Sequence, residues 1–258
     1  MQALSNLLQG KRGLVVGIAN NKSIAAGCAE AFANAGAELV VTYLNELTKP
    51  FVKPVATKVN ATALLPLDVQ IDNQLEAVFA HIADTWGNLD FVLHSIAYCP
   101  QEDLHGRVTD CSRDGFAQAM DISCHSFIRM AKLAEPLMPN GGCLLTVSYY
   151  GAEKVIEHYN IMGPVKAALE STMKYLAAEL GPVGIRVNAL SPGPLETRAA
   201  SGIAFFDELI NKARAEAPKR QLVTIEDVGN VAVGLVSDAS KSVTGNITYV
   251  DAGFHIMS

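Results

Sequence analysis

Seven short runs of apolar and β-branched residues recur along the chain: Arg12–Gly17, Glu38–Tyr43, Ala63–Leu67, Leu89–Ser95, Cys143–Ser148, Arg186–Leu190 and Ile247–Val250. Near-continuous apolar runs of this length read as strands buried on both faces rather than as helices. Between them, apolar positions recur every three or four residues, which predicts helices at about 23–35, 72–86, 113–138, 158–180 and 225–238. Several of these open on polar capping residues, such as Ser23, Asp72 and Thr224. The stretch after the second strand carries Pro50 and Pro54. A proline beyond the first helical turn removes a hydrogen bond and clashes with the turn before it, so a helix is doubtful there. Strands alternating with helices predict an α/β fold with a doubly wound, seven-stranded parallel sheet covered by helices on both faces.

Composition narrows this picture. Half of the 258 residues are hydrophobic and 18% are charged, enough apolar material for a large core without metals or disulfides. No Pro/Gly/Ser-rich or charged linker divides the chain, which reads as a single domain over residues 1–258, with a small lid at about 195–218. A net charge of -6 argues against a nucleic-acid surface, which needs clustered Lys and Arg. The five cysteines are scattered and form no CxxC pair, so free thiols in a reducing compartment are expected, and no metal site. No apolar run approaches the roughly 20 residues of a membrane span, and the first residues lack a basic region followed by an apolar stretch. A soluble, cytoplasmic protein without membrane contact is expected.

The first strand runs into Gly17-Ile-Ala-Asn-Asn-Lys-Ser23-Ile24 and then a helix of small residues, the way a pyrophosphate reaches a helix N-terminus in a Rossmann fold. A strict GxGxxG is absent, and an ordinary strand-to-helix turn is the alternative. Position favours the cofactor, because the first strand borders the crevice of this fold. After the second strand the chain reads Thr42-Tyr43-Leu44-Asn45-Glu46, with no Arg or Lys before Lys49. A 2′-phosphate needs a cation there, so NADH is expected rather than NADPH. Asp68-Val69 ends the third strand, where Asp68 either bonds the adenine amine or caps a turn.

The sharpest feature follows the fifth strand: Ser148-Tyr149-Tyr150-Gly-Ala-Glu-Lys154, then Tyr159-Asn-Ile-Met-Gly163-Pro164-Val-Lys166. If Tyr159 and Lys166 share a helix, seven residues make about two turns and both side chains point one way, with Gly163 leaving room between them. An ammonium there would stabilise a phenolate and strengthen the phenol as a donor toward an enolate. The alternative is that both tyrosines are core residues and the lysine is solvated. Tyr150 and Lys154 also fit YxxxK, the pattern of ordinary short-chain dehydrogenases, but no serine stands a dozen residues earlier, and Tyr150 follows the strand directly.

Tyr149, nine residues, Tyr159, six residues, Lys166 resembles the signature of the enoyl-acyl-carrier-protein reductases, short-chain dehydrogenase/reductase relatives with this wider spacing. Gly17-Ile-Ala, His94-Ser-Ile96-Ala, Gly184-Ile-Arg-Val-Asn-Ala, Ala199-Ala-Ser-Gly-Ile and Thr224-Ile-Glu-Asp-Val-Gly-Asn match in order, so the likeness covers nearly the whole chain. It implies reduction of a trans-2-enoyl thioester in fatty-acid biosynthesis, with hydride from NADH to the β-carbon and a proton to the α-carbon. It also implies that Tyr159 bonds the thioester carbonyl, that Lys166 holds the nicotinamide ribose, and that Tyr149 lines the acyl site and assists. Gly17, Ser23, Ile24, Leu44, Asp68, Val69, Ile96 and Leu195-Glu196-Thr197-Arg198-Ala199 match cofactor positions, and Cys99 matches a substrate position. The implied partner is acyl-carrier protein bearing an enoyl chain, with a coenzyme A thioester as the other carrier, and the implied assembly is a homotetramer built on the C-terminal strand and tail.

Three departures bear on these expectations. Pro164 lies between Tyr159 and Lys166 and predicts a kink that shifts the lysine. Ser191-Pro192-Gly193-Pro194 carries a proline where many members have a smaller residue. The lid reads Ala204-Phe205-Phe206-Asp207-Glu208-Leu-Ile, neutral or acidic where the family presents basic residues to an acidic carrier. Lys212, Arg214, Lys219 and Arg220 follow and either substitute for them or form a solvated face.

Overall fold

The structure, a computed structural model, describes residues 6–195, 197 and 206–257. Seven parallel strands, β1 (Arg12–Val16), β2 (Glu38–Tyr43), β3 (Ala63–Pro66), β4 (Phe91–His94), β5 (Gly142–Val147), β6 (Ile185–Pro192) and β7 (Ile247–Val250), pair in the order β3-β2-β1-β4-β5-β6-β7. All seven expected strands form. The order reverses between β1 and β4, so the connection out of β1 leaves one way and that into β4 the other, opening a crevice at their carboxyl ends.

The nine α-helices among the described residues are α1 (Ile24–Asn34), α2 (Lys49–Lys58), α3 (Gln74–Trp86), α4 (Gln101–His105), α5 (Arg113–Met120), α6 (Ser126–Ala134), α7 (Met162–Leu180), α8 (Phe206–Glu216) and α9 (Ile225–Val236). One layer of core packs α1, α2 and α9 against Val15, Val41, Leu93 and Leu145. The other packs α3, α6 and α7 against Leu14, Val40, Val92 and Leu144. Successive strand residues thus alternate between two apolar faces, the reason these strands read as continuous hydrophobic runs.

Four expectations about helices change. The doubtful α2 is a helix: Pro50 stands in its first turn, and both prolines lie on its exposed side while Val52, Val55 and Ala56 are buried. One lost hydrogen bond facing water is outweighed by that burial. The helix expected at 113–138 is broken by a π turn, Asp121–His125, between α5 and α6. Such a turn inserts one residue and shifts the helical phase, and here it turns Ile122, Ser123 and Cys124 all inward. Asp72 caps nothing; Asn73, at φ 66°, precedes α3. Finally, α7 begins at Met162 rather than at 158. Thr224 does form the expected cap of α9, its hydroxyl accepting from Asp227 N while the Asp227 carboxylate accepts from Thr224 N. Among the described residues, no helix is long and apolar enough to cross a membrane.

Candidate active site

The crevice is shaped first by Gly17. Its φ is +105°, and a Cβ there would lie 2.0 Å from the Ser95 carbonyl at the end of β4. The β1 and β4 ends therefore approach backbone to backbone at the switch point, which only glycine permits. Beyond it, Ser23 Oγ accepts from Ala19 N and Asn20 N, each at 3.0 Å, and ties the loop to the start of α1 instead of capping the helix. This loop, with Asn21, Lys22, Pro194, Leu195 and Thr197, walls a cleft of about 260 Å³ at the N-terminus of α1.

The other sequence-predicted cofactor residues line up along the same carboxyl edge. Leu44 follows β2 and is half exposed, Asp68 and buried Val69 follow β3, and Ile96 follows β4. Asp68 takes up the turn role, its Oδ1 accepting from Gln70 N at 3.0 Å. Lys49, the nearest cation to the β2 end in the sequence, bonds Glu46 at 3.1 Å and lies 5.0 Å over the Tyr43 ring. Glu46 also accepts from the Tyr43 hydroxyl at 2.8 Å, so this end carries a placed carboxylate and its cation is already paired. Leu195 is buried and Thr197 partly so. Glu196, Arg198 and Ala199, like Phe205, lie outside the described residues.

At the end of β5 the three candidate catalytic residues do converge. The Tyr149 and Tyr159 rings meet edge to face at 4.8 Å. Gly151 makes this possible, since a Cβ there would stand 2.5 Å from the Tyr159 ring and 3.2 Å from that of Tyr149. Tyr159 is not in α7, contrary to the shared-helix expectation; it sits in a turn between His158 (φ 64°) and Asn160 (φ 43°). Asn160 Nδ2 pins the turn by donating to the Leu104 carbonyl at 2.7 Å. Gly163 does not hold open a gap beside Lys166 either, for its position faces the Gly151 carbonyl.

Lys166 is 4% exposed, and its Nζ donates to the Val147 carbonyl at 2.6 Å. The expected kink at Pro164 does not displace it. Pro164 falls in the first turn of α7, where a missing N–H costs little, and the Val165 N–H still reaches the Ile161 carbonyl. One of the three ammonium donors is thus taken. Burial lowers the Lys166 pKa to about 8, against the opposing charge of Glu170.

The phenolate expectation needs correcting. Burial pushes both phenols up, Tyr159 further than Tyr149, with Tyr149 and Glu170 adding to the Tyr159 shift. Tyr159 is therefore a neutral hydrogen-bond donor at any working pH. The buried Tyr149 hydroxyl has no hydrogen-bond partner among the described residues. A buried hydroxyl left so is costly, and a ligand or water normally answers it.

Cys99 lies beside Tyr149 and Tyr159, in an apolar cluster with Leu104, Met162 and Val165, consistent with a wall for an acyl group. Tyr150 and Lys154 do not form a site. Tyr150 is buried and packs toward Tyr249 and His255, whereas Lys154 is exposed. In α8, Asp207, Glu208, Lys212 and Arg214 are exposed while Ile210 and Ala213 are buried.

Two groups escaped sequence reasoning. Ser148 Oγ donates to Glu170 Oε1 at 2.6 Å in the interior. The one signal was Glu170 four residues after Lys166, a spacing that any exposed helical ion pair also shows. His94 is wholly buried between Thr146 Oγ1 (2.9 Å) and Ser126 Oγ (2.8 Å). Ser126 spends its proton on the Ile122 carbonyl, so it accepts from His94 Nε2–H. Burial and nearby Lys166 hold the imidazole down to about 3, a neutral support under the site.

Residues 17–255 match the family described as Enoyl-(Acyl carrier protein) reductase. The chain is 48% identical over 255 residues to enoyl-[acyl-carrier-protein] reductase [NADH] 1 of Rhizobium meliloti, covering 99% of this chain and 94% of the relative. Among solved structures it is similar to the enoyl-acyl-carrier-protein reductase of Anaplasma phagocytophilum in complex with NAD, at TM-score 0.94 and 45% identity, over 98% of this chain and 96% of that one. It is similar also to the Bacillus cereus enzyme with NADP+ and indole naphthyridinone, at TM-score 0.95 and 43% identity, over 98% and 99% of the two chains.

Proposed function

The chain belongs to the enoyl-acyl-carrier-protein reductase family, and from that premise we propose how its own residues divide the work. The protein is an NADH-dependent oxidoreductase of fatty-acid biosynthesis that reduces the trans-2 double bond of enoyl thioesters. The observation that carries the division of roles is the pairing of Tyr159 with Tyr149 at the end of β5, where the buried Lys166 bonds the Val147 carbonyl.

The residues fit a dinucleotide. Gly17 lets the ends of β1 and β4 close up at the floor of the crevice, and the loop held by Ser23 leads into the N-terminus of α1, where the backbone N–H groups favour a pyrophosphate. Leu44, Asp68, Val69 and Ile96 hold the adenosine side and the middle of the crevice. Glu46, with Lys49 already paired to it, disfavours a 2′-phosphate. Lys166 gives its two remaining donors to the nicotinamide ribose. Glu196, Arg198 and Ala199 belong to the same set by sequence.

NADH, when bound, supplies the hydride that adds to the β-carbon. Tyr159, a neutral phenol in a buried apolar cluster, donates to the thioester carbonyl and binds the developing enolate more strongly than the ground-state carbonyl. Its ring is fixed by Gly151 and Tyr149, so the donor is aimed before the substrate arrives. Tyr149 offers its unanswered hydroxyl to the acyl side, and Cys99, Leu104 and Met162 keep water from the enolate.

The experiment is the loss of reduced-nicotinamide absorbance with a trans-2-enoyl thioester, carried on acyl-carrier protein or on coenzyme A, with NADH and NADPH in parallel. Consumption of NADH with the acyl-carrier-protein substrate is expected; cofactor binding without consumption on either carrier would sink the assignment. The acidic start of α8 faces an acidic carrier with like charge, leaving Lys212, Arg214, Lys219 and Arg220 to attract it. Asp207→Lys and Glu208→Lys should therefore raise kcat/KM for the carrier-protein substrate at low salt several-fold and leave the coenzyme A substrate nearly unchanged. An unaltered preference would remove the charge argument. We place the protein in the cytoplasm as a homotetramer by family resemblance; Ile256 and Met257, exposed on the C-terminal tail, offer apolar surface for a contact between copies.

A further inference from the structure

The site holds one buried acid that the reaction does not use. Glu170 stands one turn beyond Lys166 on α7, so both side chains leave the helix on the same side. Glu170 is 9% exposed and Lys166 4%. The lysine bonds the Val147 carbonyl and the acid accepts from the Ser148 hydroxyl, both at 2.6 Å. Val147 and Ser148 are the two residues directly before Tyr149. Two successive turns of α7 thus grip two successive residues at the end of β5, and set opposite charges one helical turn apart inside the protein.

A buried ammonium persists only with compensation, because burial favours the neutral amine. Glu170 is the acid that faces the ammonium; burial pushes its own carboxyl up, and the Ser148 hydroxyl is the first group that holds it down. His94 on β4 is neutral, as are the phenols of Tyr149 and Tyr159, and Cys124, in the π turn, has its Sγ 3.4 Å from Thr172 Oγ1. Glu153, in the turn after β5, is exposed and accepts from the Tyr249 hydroxyl on β7, and Lys174, the next turn of α7, is exposed too. Solvent screens both of these.

We propose that Glu170, anchored by Ser148, is a positioning residue that keeps Lys166 in its ammonium form and aimed at the cofactor ribose. This deepens the reading that Lys166 holds the ribose, and rests on it. The sign follows directly. Removing the carboxylate charge destabilises protonated Lys166 and lowers its pKa, so the ammonium is lost at a lower pH and the alkaline limb of cofactor binding moves toward acid.

The test is Glu170→Gln, which keeps the volume and an acceptor for Ser148 but removes the charge. NADH affinity, by fluorescence titration, and kcat/KM for the enoyl thioester are measured from pH 6 to 9.5 beside the parent. Affinity near the parent's is expected at pH 6.5. At pH 8.5 a loss of about five- to tenfold is expected, the effect of displacing a pKa by about one unit. The defect should fall on KM for NADH rather than on kcat at saturating NADH, and Glu170→Asp should restore part of it. A uniform loss at every pH, with the limb in place, would overturn the proposal in favour of a purely structural role. If Glu170→Gln is recovered only as aggregate, Ser148→Ala reads the same limb, since it releases the anchor; an undisplaced limb there overturns the proposal. A parent that reduces no enoyl thioester would sink the functional assignment instead, while the NADH titration still decides this point. Unchanged NADH affinity in Lys166→Met would remove the ribose role on which the inference depends.

Discussion

Tyr159→Phe should lower kcat for enoyl-thioester reduction by about 100- to 1,000-fold, the usual cost of removing one donor aimed at a developing oxyanion. NADH affinity should stay within about twofold of the parent's. The reason is local. The phenylalanine ring keeps the edge-to-face contact with Tyr149 at 4.8 Å and the close fit over Gly151, so only the hydroxyl is lost. Because burial holds the Tyr159 phenol far above neutrality, no step in the parent's pH profile up to about pH 9 belongs to it. The alkaline limb belongs to Lys166, whose pKa of about 8 leaves it charged below that pH and neutral above. Lys166→Met should accordingly weaken NADH binding as well as turnover. Steady-state kinetics with fluorescence titration of NADH separates the two variants. Small and equal effects from both would refute the division of roles.

Gly17→Ala should destabilise the fold by on the order of 3 kcal/mol and abolish measurable NADH binding in the fraction that folds. Two costs add here. An alanine at φ +105° is strained in itself, and its Cβ would lie 2.0 Å from the Ser95 carbonyl, a backbone atom that cannot rotate away. Relief requires β1 and β4 to part at the switch point, where the Ser95 N–H bonds the Val16 carbonyl at 3.0 Å. Parting them spoils the loop whose amides Ser23 organises. Thermal unfolding monitored by circular dichroism should show a midpoint lower by about 6–12 °C. A midpoint within 2 °C of the parent's, with NADH still bound, would contradict the close-approach argument.

Much of this was written in the chain itself. Strands with apolar residues on both faces, and helical stretches between them that force parallel pairing, made the seven strands legible one by one. That Tyr149, Tyr159 and Lys166 gather at the end of β5 was expected from the family resemblance, though not by way of a shared helix, and Gly17 and Ser23 drew notice through their place after the first strand. The capping residue Thr224 declared itself because its hydrogen bonds close within four residues.

What the sequence could not decide depends on distant parts of the chain. Pro50 and Pro54 argued against α2, and the burial of Val52 and Val55 beneath them overrode that local rule. Pro164 looked like a kink because the start of α7 was misplaced by a few residues; once the helix begins at Met162, the proline sits where it does least harm. The π turn at Asp121–His125 was read as continuous helix, yet it precedes Ser126, which the fold sets against His94. Glu170 looked like any surface acid until the fold set it against Ser148 on another element. Local rules govern whatever closes within one turn or strand. Burial, backbone approach and the charge state of a group are properties of its surroundings, which only the tertiary structure supplies.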